Sequence, residues 1–343
     1  MTAPATAADA GRSRPLAGAS QTLVPLLVVM AALVAAFLIL GPEQFVNALT
    51  LGAIYALVAI GYTMVYGIIE LINFAHGDMF MVGAFVSLTF LGQILGLTGP
   101  TYDIPVLIVQ LVATFTITMG IMALVGVTIE RFAYKPLRNA PRLAPLITAI
   151  GVSFILQNLV QLVYGPFQTN SPKIFPDTWV IEVGNATIPV LSIFIISVAV
   201  VLMFSLQLFI GRTRLGRAMR STAADRDAAA LMGVNINRTI AITFLIGSAL
   251  AGAAGVVNGL QYGVARFDDG FQAGLKAFTA AVLGGIGNTM GAALGGFIIG
   301  FIEVGATAMG YTRWGPAIVF GVLVIVLVFR PAGLLGQQLG ERA

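Results

Sequence analysis

Long apolar runs separated by short polar clusters set the plan of this chain. Such runs fall at roughly 21–40, 46–67, 77–95, 105–128, 143–164, 188–210, 239–260, 272–287, 291–309 and 314–330. A helix needs about 20 apolar residues to cross a bilayer, where every backbone amide must be satisfied internally. The pattern therefore predicts an all-α, polytopic integral membrane protein with about ten transmembrane helices. The eighth run is short, carries Lys276 and continues into LGGIGNTMGAALGG (Leu283–Gly296). It reads either as a full crossing or as a broken, re-entrant segment. IGYTM (Ile60–Met64) and IGNTM (Ile286–Met290) form an internal echo that suggests an inverted repeat.

Composition removes the soluble alternative. Charged residues make up 9% and hydrophobic residues 58% of the 343 positions, where globular chains carry roughly 25% charged residues. So little charge leaves lipid as the solvent for most of the surface. The 40 glycines fit close helix packing in that solvent. The net charge of +4 does not point to nucleic acid, because the basic residues sit between the apolar runs. With no cysteine there is no disulfide framework and no thiol nucleophile.

Charge also predicts orientation. The 129–142 connection carries Arg131, Lys135, Arg138 and Arg142; the 211–238 connection carries Arg212, Arg214, Arg217, Arg220, Arg226 and Arg238. The 165–187 connection between them has only Lys173, with Asp177 and Glu182. Parity and the positive-inside rule put both basic connections in the cytoplasm, and with them Arg12, Arg14, Arg330 and Arg342. The Ala/Thr-rich residues 1–20 read as a disordered cytoplasmic tail, 21–335 as the membrane domain and 336–343 as a cytoplasmic C-terminal tail.

Two polar clusters invite chemistry. LINFAHGDMF (Leu71–Phe80) holds His76, the only histidine. Parity places it near a cytoplasmic end, and two readings stand. In one, Asn73, His76 and Asp78 form a kinked element beside a translocation route, with Gly77 supplying backbone freedom. In the other the segment is a solvated turn, with Asp78 capping the helix that begins MFMVGAF. One histidine without cysteine makes no transition-metal site. Lys276 and Glu303 lie inside apolar stretches, where each either lines a polar path or, for Lys276, snorkels to the interface.

The second cluster is GRTRLGRAMRSTAADRDAAALMGVNINR (211–238). Arg214, Arg217 and Arg220 recur every third residue, on one side of a helical turn. Thr222 with Asp225 resembles a capping box, Asp225 and Asp227 suit a first turn, and Gly233 suits a C-terminal cap after Ala228, Ala229 and the residues to Met232. The spacing predicts a short helix of about 10 residues, ~15 Å long, able to dock in a groove. The turn Gly284–Gly296 lacks the GK[ST] ending of a phosphate loop. Its glycines, Gly284, Gly285, Gly287, Gly291, Gly295 and Gly296, continued by Gly300, suit close helix packing. There is no catalytic constellation and no Walker A motif, so an enzyme is not indicated and any ATPase lies on another chain.

Four stretches resemble the LivH-type permease subunits of branched-chain amino acid ABC importers: Asn47–Phe85, Glu130–Asn158, Gly216–Gly255 and Gly274–Glu303. The resemblance implies a multi-pass subunit of the cell inner membrane that binds no cofactor of its own. It implies a second homologous permease, two cytoplasmic ATPases that consume ATP, and an extracytoplasmic substrate-binding protein as partners. Asp227-Ala228-Ala229, three residues, then Gly233 resembles the EAA coupling motif, with Asp for the usual Glu and without the Leu-Pro ending. INFAHGD resembles a signature of the family, which implies a structural or gating role there. Related permeases for urea, short amides or sugars, and a secondary transporter acting alone, are the rival readings.

Overall fold

The computed structural model describes residues 17–336, apart from 72, 139, 142 and 185, with side chains described from Leu33 onward. Arg12, Arg14, Arg142, Arg342 and most of both tails lie outside the described residues.

The first helix, α1 (Ala17–Ile69), begins within the stretch assigned to the tail and carries both of the first two expected spans. They meet at Gly41, whose φ of 76° and ψ of 167° break the helical path. A side chain rarely adopts that conformation, and Pro42 follows with no N–H to give. Next come α2 (Ala75–Thr89), prolonged by one π turn, α3 (Ile104–Ile129), and α4 (Leu143–Tyr164). Helical backbone continues past α3 as a π turn (Glu130–Tyr134) and a short 3-10 turn (Lys135–Leu137), so most of the expected basic connection is helical. After β1 (Thr169–Asn170) and a hairpin of β2 (Val180–Val183) with β3 (Ala186–Pro189) come α5 (Val190–Arg212), α6 (Arg214–Ala224), α7 (Arg226–Leu231) and α8 (Ile236–Tyr262). The chain closes with β4 (Val264–Ala265), α9 (Asp269–Gly284), α10 (Thr289–Ala308) and α11 (Gly315–Phe329).

Eight of the described helical stretches are long and apolar enough to cross a membrane. The chain is therefore a mostly helical, polytopic membrane protein. The lower number has two sources. The first two spans merge in α1, and α9, at 16 residues, covers only about 24 Å of a ~30 Å hydrocarbon core. The IGYTM and IGNTM segments do not share a structure: the first lies within α1, the second spans the turn from α9 into α10.

Small residues decide which helices meet. Along α1 and α10, Gly52 and Ala56 face Gly300 and Gly296; a Cβ on Gly296 would lie 2.4 Å from the Ala56 nitrogen. Any side chain there would force the helices apart, which in lipid forfeits the packing that holds them together. The later part of α1, with α2, α8 and α10, forms the buried core, whereas α4, α5 and α11 present apolar rows outward. The connections segregate to two ends. At one, β1 pairs antiparallel with β4, Thr169 opposite Ala265. At the other, Arg138 reaches Asn237 at 2.5 Å, and Asn288 reaches the Leu335 carbonyl at 2.9 Å.

Candidate functional site

The polar cluster is interior. After α1, Glu70 takes φ 57°, a conformation unfavourable for a side-chain-bearing residue, and the chain folds back beside the helix it has just left. His76 lies against Gly61, two turns before the end of α1. His76 and Asp78 are fully buried and Asn73 is 2% exposed, which overturns the solvated-turn reading. Phe74 occupies the N-cap of α2, and Asp78 is its fourth residue rather than its cap. Gly77 is not in a glycine-only conformation. It serves by absence of bulk, since a Cβ there would lie 2.2 Å from the Gly270 carbonyl oxygen and 2.5 Å from the Gly274 Cα. The N-terminal turns of α2 and α9 therefore touch backbone to backbone.

Asp78 and the amide oxygen of Asn73 find their partners on other elements. Ser153 Oγ donates to Asp78 Oδ2, and Gln157 Nε2 donates to Oδ1 at 2.9 Å. Both donors stand one turn apart on α4. Tyr134 Oη donates to Asn73 Oδ1 at 2.9 Å, tying the cluster to the π turn after α3. His76 is different: the Val58 carbonyl approaches its ring, but neither nitrogen has a partner with hydrogen-bonding geometry. Tyr62, edge-on to that ring at 5.5 Å between centroids, also has an unpartnered hydroxyl. Each unsatisfied buried polar group costs about 1–3 kcal/mol, so His76, Tyr62 and the Asn73 amide nitrogen are poorly satisfied, whereas both Asp78 oxygens are met. Beside it opens a cleft of about 550 Å³ between the N-terminal ends of α2 and α9 and one face of α4. Phe74, Ile150, Phe154 and Phe271 wall it; Ser153, Gln157 and Gln272 give it polar ground, together with Asp268, which is paired with Arg266 at 3.0 Å.

Lys276 and Glu303 come together, though not with the cluster around Asp78. Lys276 Nζ donates to Glu303 Oε1 at 2.5 Å and to Tyr55 Oη at 3.0 Å, and Tyr55 Oη donates to Glu303 Oε2 at 2.9 Å. The triad joins α1, α9 and α10. Its charged side chains are 14% and 20% exposed, so Lys276 points to a buried partner rather than to an interface.

The arginine-bearing connection splits into α6 and α7. Arg214, Arg217 and Arg220 lie on the exposed side of α6. Thr222 is inside α6, not a cap, and donates to the Ala218 carbonyl. The cap of α7 is Asp225, whose Oδ1 accepts from the Asp227 and Ala228 amides at 2.9 and 3.0 Å. The helix runs six residues instead of the expected ten. It stops because Gly233 turns to φ 84°, with its amide on the Ala230 carbonyl and the Val234 amide on that of Ala229. That double bond is a Schellman closure, which a glycine permits. Ala229 packs inward, and Leu231 and Met232 stand 90% and 85% exposed. Arg226 reaches across to the Ile68 carbonyl with Nη2 at 2.8 Å and Nε at 3.2 Å. It thereby fastens α7 to the last turn of α1, just before the chain folds back.

Sequence reasoning missed Ser153, Gln157, Tyr134, Tyr55 and the anchoring of Arg226. Ser153 and Gln157 did leave a signal: two polar residues four apart within an apolar run share a helix face and require a partner there. Tyr55 and Tyr134 left none, since an aromatic in such a run reads equally well as core.

Comparison with known proteins agrees with this architecture. Residues 44–327 match the family model described as branched-chain amino acid transport system / permease component. The chain is 46% identical over 307 residues to the high-affinity branched-chain amino acid transport system permease protein BraD of Pseudomonas aeruginosa, covering 88% of this chain and 97% of that protein. It is 44% identical over 303 residues to the permease proteins LivH of Escherichia coli and of Salmonella typhimurium, with the same coverage. No solved structure matches the chain significantly. The chain belongs to the family of branched-chain amino acid transport system permease components.

Proposed function

We propose that this chain is the membrane-spanning permease subunit of an ATP-driven importer of branched-chain amino acids. The observation that carries the reading is identity of 46% and 44% spread over nearly the whole length of relatives bearing that description. Similarity of that extent favours branched-chain amino acids over urea, short amides or sugars. Substrate arrives from an extracytoplasmic binding protein and crosses between this chain and a second, homologous permease. Two ATPases on the cytoplasmic side supply the energy. ATP must bind unequally to the two conformations of the assembly, because a ligand shifts an equilibrium only through unequal affinity.

The ATPases dock on α6 and α7. Support comes from the exposed Leu231 and Met232 beside the exposed arginines, at an end of the molecule where no long helix covers them. With ten crossings, both termini lie in the cytoplasm. The hydrogen bond from Arg138 to Asn237 supports this orientation by holding the two basic connections at one end. The helix pairing supports an inverted repeat, of which 46–164 and 236–329 are the halves. Exchanging them carries the α1–α10 pair onto α8–α3, and α2–α4 onto α9–α11. Asn73, His76, Gly77 and Asp78 form the gating element in this reading. Lys276 and Glu303 brace the helices beside it.

The test is uptake by proteoliposomes holding the permease pair, the ATPases and the binding protein. Labelled leucine should enter only with ATP inside the ATPase compartment and binding protein outside. Uptake driven by an ion gradient without ATPase, or of urea instead of leucine, would refute the reading. For the orientation, Ala228→Cys should resist an impermeant thiol reagent applied to intact cells; labelling from outside would reverse the topology.

A further inference from the structure

We infer that the cleft between α2, α4 and α9 is a transit site for the substrate, and that Gln157, positioned by Asp78 behind it, receives the α-ammonium end of a zwitterion there. This rests on the importer reading and assigns a place within it.

The first observation is a buried carboxyl group without a cationic partner among the described residues. Asp78 is fully buried, and among the described residues its carboxyl group is met by the neutral donors Ser153 and Gln157. Among the described residues the ion pairs lie elsewhere: Arg138–Glu130, Lys173–Asp177, Arg266–Asp268 and Lys276–Glu303. The N-terminal dipole of α2 offsets part of any charge, but no cationic side chain among the described residues pairs with it. A carboxylate at membrane depth normally pairs with a cation or faces a water-filled path.

The second observation is where the two donors stand. Ser153 and Gln157 line the cleft, and Asp78 lies directly behind them. Gln157 turns its nitrogen to Asp78, so its Oε1, which accepts no hydrogen bond among the described residues, is left as an acceptor. An ammonium group fits that position: it donates to the amide oxygen and feels the carboxylate one layer deeper. A neutral sugar or amide would not compensate the charge.

The third observation is the rest of the wall. Phe74, Phe154 and Phe271 provide apolar faces, Asp268 in the same wall is already paired with Arg266 at 3.0 Å, and the cleft, at about 550 Å³, lies within the range of small-ligand sites. An amino acid with an aliphatic side chain would place that side chain among the rings. Gly77, Gly270 and Gly274 draw the two helix ends together behind it, leaving no room for the cleft to collapse inward.

The chain has no native cysteine, which permits a direct test in the assembled transporter. With Phe154→Cys as the single thiol, a methanethiosulfonate reagent should modify the assembled protein, and modification should abolish uptake. Labelled leucine with ATP and binding protein should slow that modification at least about threefold. Asp78→Asn, which keeps the shape and the contact with Ser153, should lower leucine uptake by roughly tenfold or more, equivalent to ~1.4 kcal/mol, with the ATPases still co-purifying. Phe154→Cys modified equally fast with and without leucine would overturn the proposal, as would leucine uptake by Asp78→Asn equal to that of the unaltered transporter. Absence of leucine uptake by the unaltered transporter would instead overturn the importer reading. Should Asp78→Asn fail to assemble, Phe154→Cys, at an exposed wall position, decides alone.

Discussion

The α6–α7 connection and the N-terminal turn of α2 are both polar, yet they use polarity in opposite ways. In α6–α7 the groups satisfy their own segment: Asp225 caps the next two amides, and Gly233 closes the same helix. At α2 nearly every bond leaves the segment, from Asp78 to Ser153 and Gln157 on α4 and from Asn73 to Tyr134. A water-facing segment can leave its remaining valences to solvent, so short-range rules suffice. A segment inside a bundle has no solvent to complete it, and must be completed by distant residues. The two regions meet at Arg226, which belongs to the first and holds the carbonyl of Ile68 at the threshold of the second.

Substitutions can break or sharpen this contrast. The largest effect is expected for Gly77→Val. Its side chain would have to enter the backbone of Gly270 and Gly274, so the loss should exceed about 3 kcal/mol and little folded protein should be recovered from detergent. Near-normal recovery would show that α2 and α9 do not need contact. Tyr134→Phe leaves Asn73 Oδ1 buried without its donor, and should cost about 1–3 kcal/mol by thermal unfolding.

Arg226→Ala, at the junction, should cost less stability, about 1–1.5 kcal/mol, because its site is only half-buried. Its larger consequence is in coupling: ATP should still be hydrolysed while leucine carried per ATP falls severalfold. An unchanged ratio would show that the two regions act independently. Asp225→Ala removes the cap of α7 and should cost about 1 kcal/mol. The smallest effect is expected for the double change Arg217→Glu and Arg220→Glu. The unfolding temperature should fall only slightly, through loss of the Arg220 Nη1 bond to the Ile210 carbonyl, while ATPase co-purification weakens, and full co-purification would argue against docking on α6–α7.

The connection was legible because its signals are local. The Gly233 stop and the two-part helical character follow from neighbours within five residues, although the cap fell on Asp225 rather than on Thr222. Two oxygens three residues apart can each take that role, and only the backbone path separates them. The α2 turn misled because parity places a short connection at a membrane surface. Fold-back beside α1 depends on whether Gly61, Gly77, Gly270 and Gly274 leave room, which is a property of four helices together.

Hydrophobic run length by itself determined that this is a bundle of membrane helices, and where most of them begin and end, because the bilayer imposes one length on every span. Charge placement and the glycines named which connections share an end and which helices approach closely. Only the tertiary structure decided that Asp78 faces Ser153 and Gln157, that Lys276 faces Glu303, and that Arg226 fastens one polar region to the other. The reason is that lipid rewards all apolar faces alike. The helix rotations are set by small residues and buried polar pairs, and those meet across tens to hundreds of residues of chain.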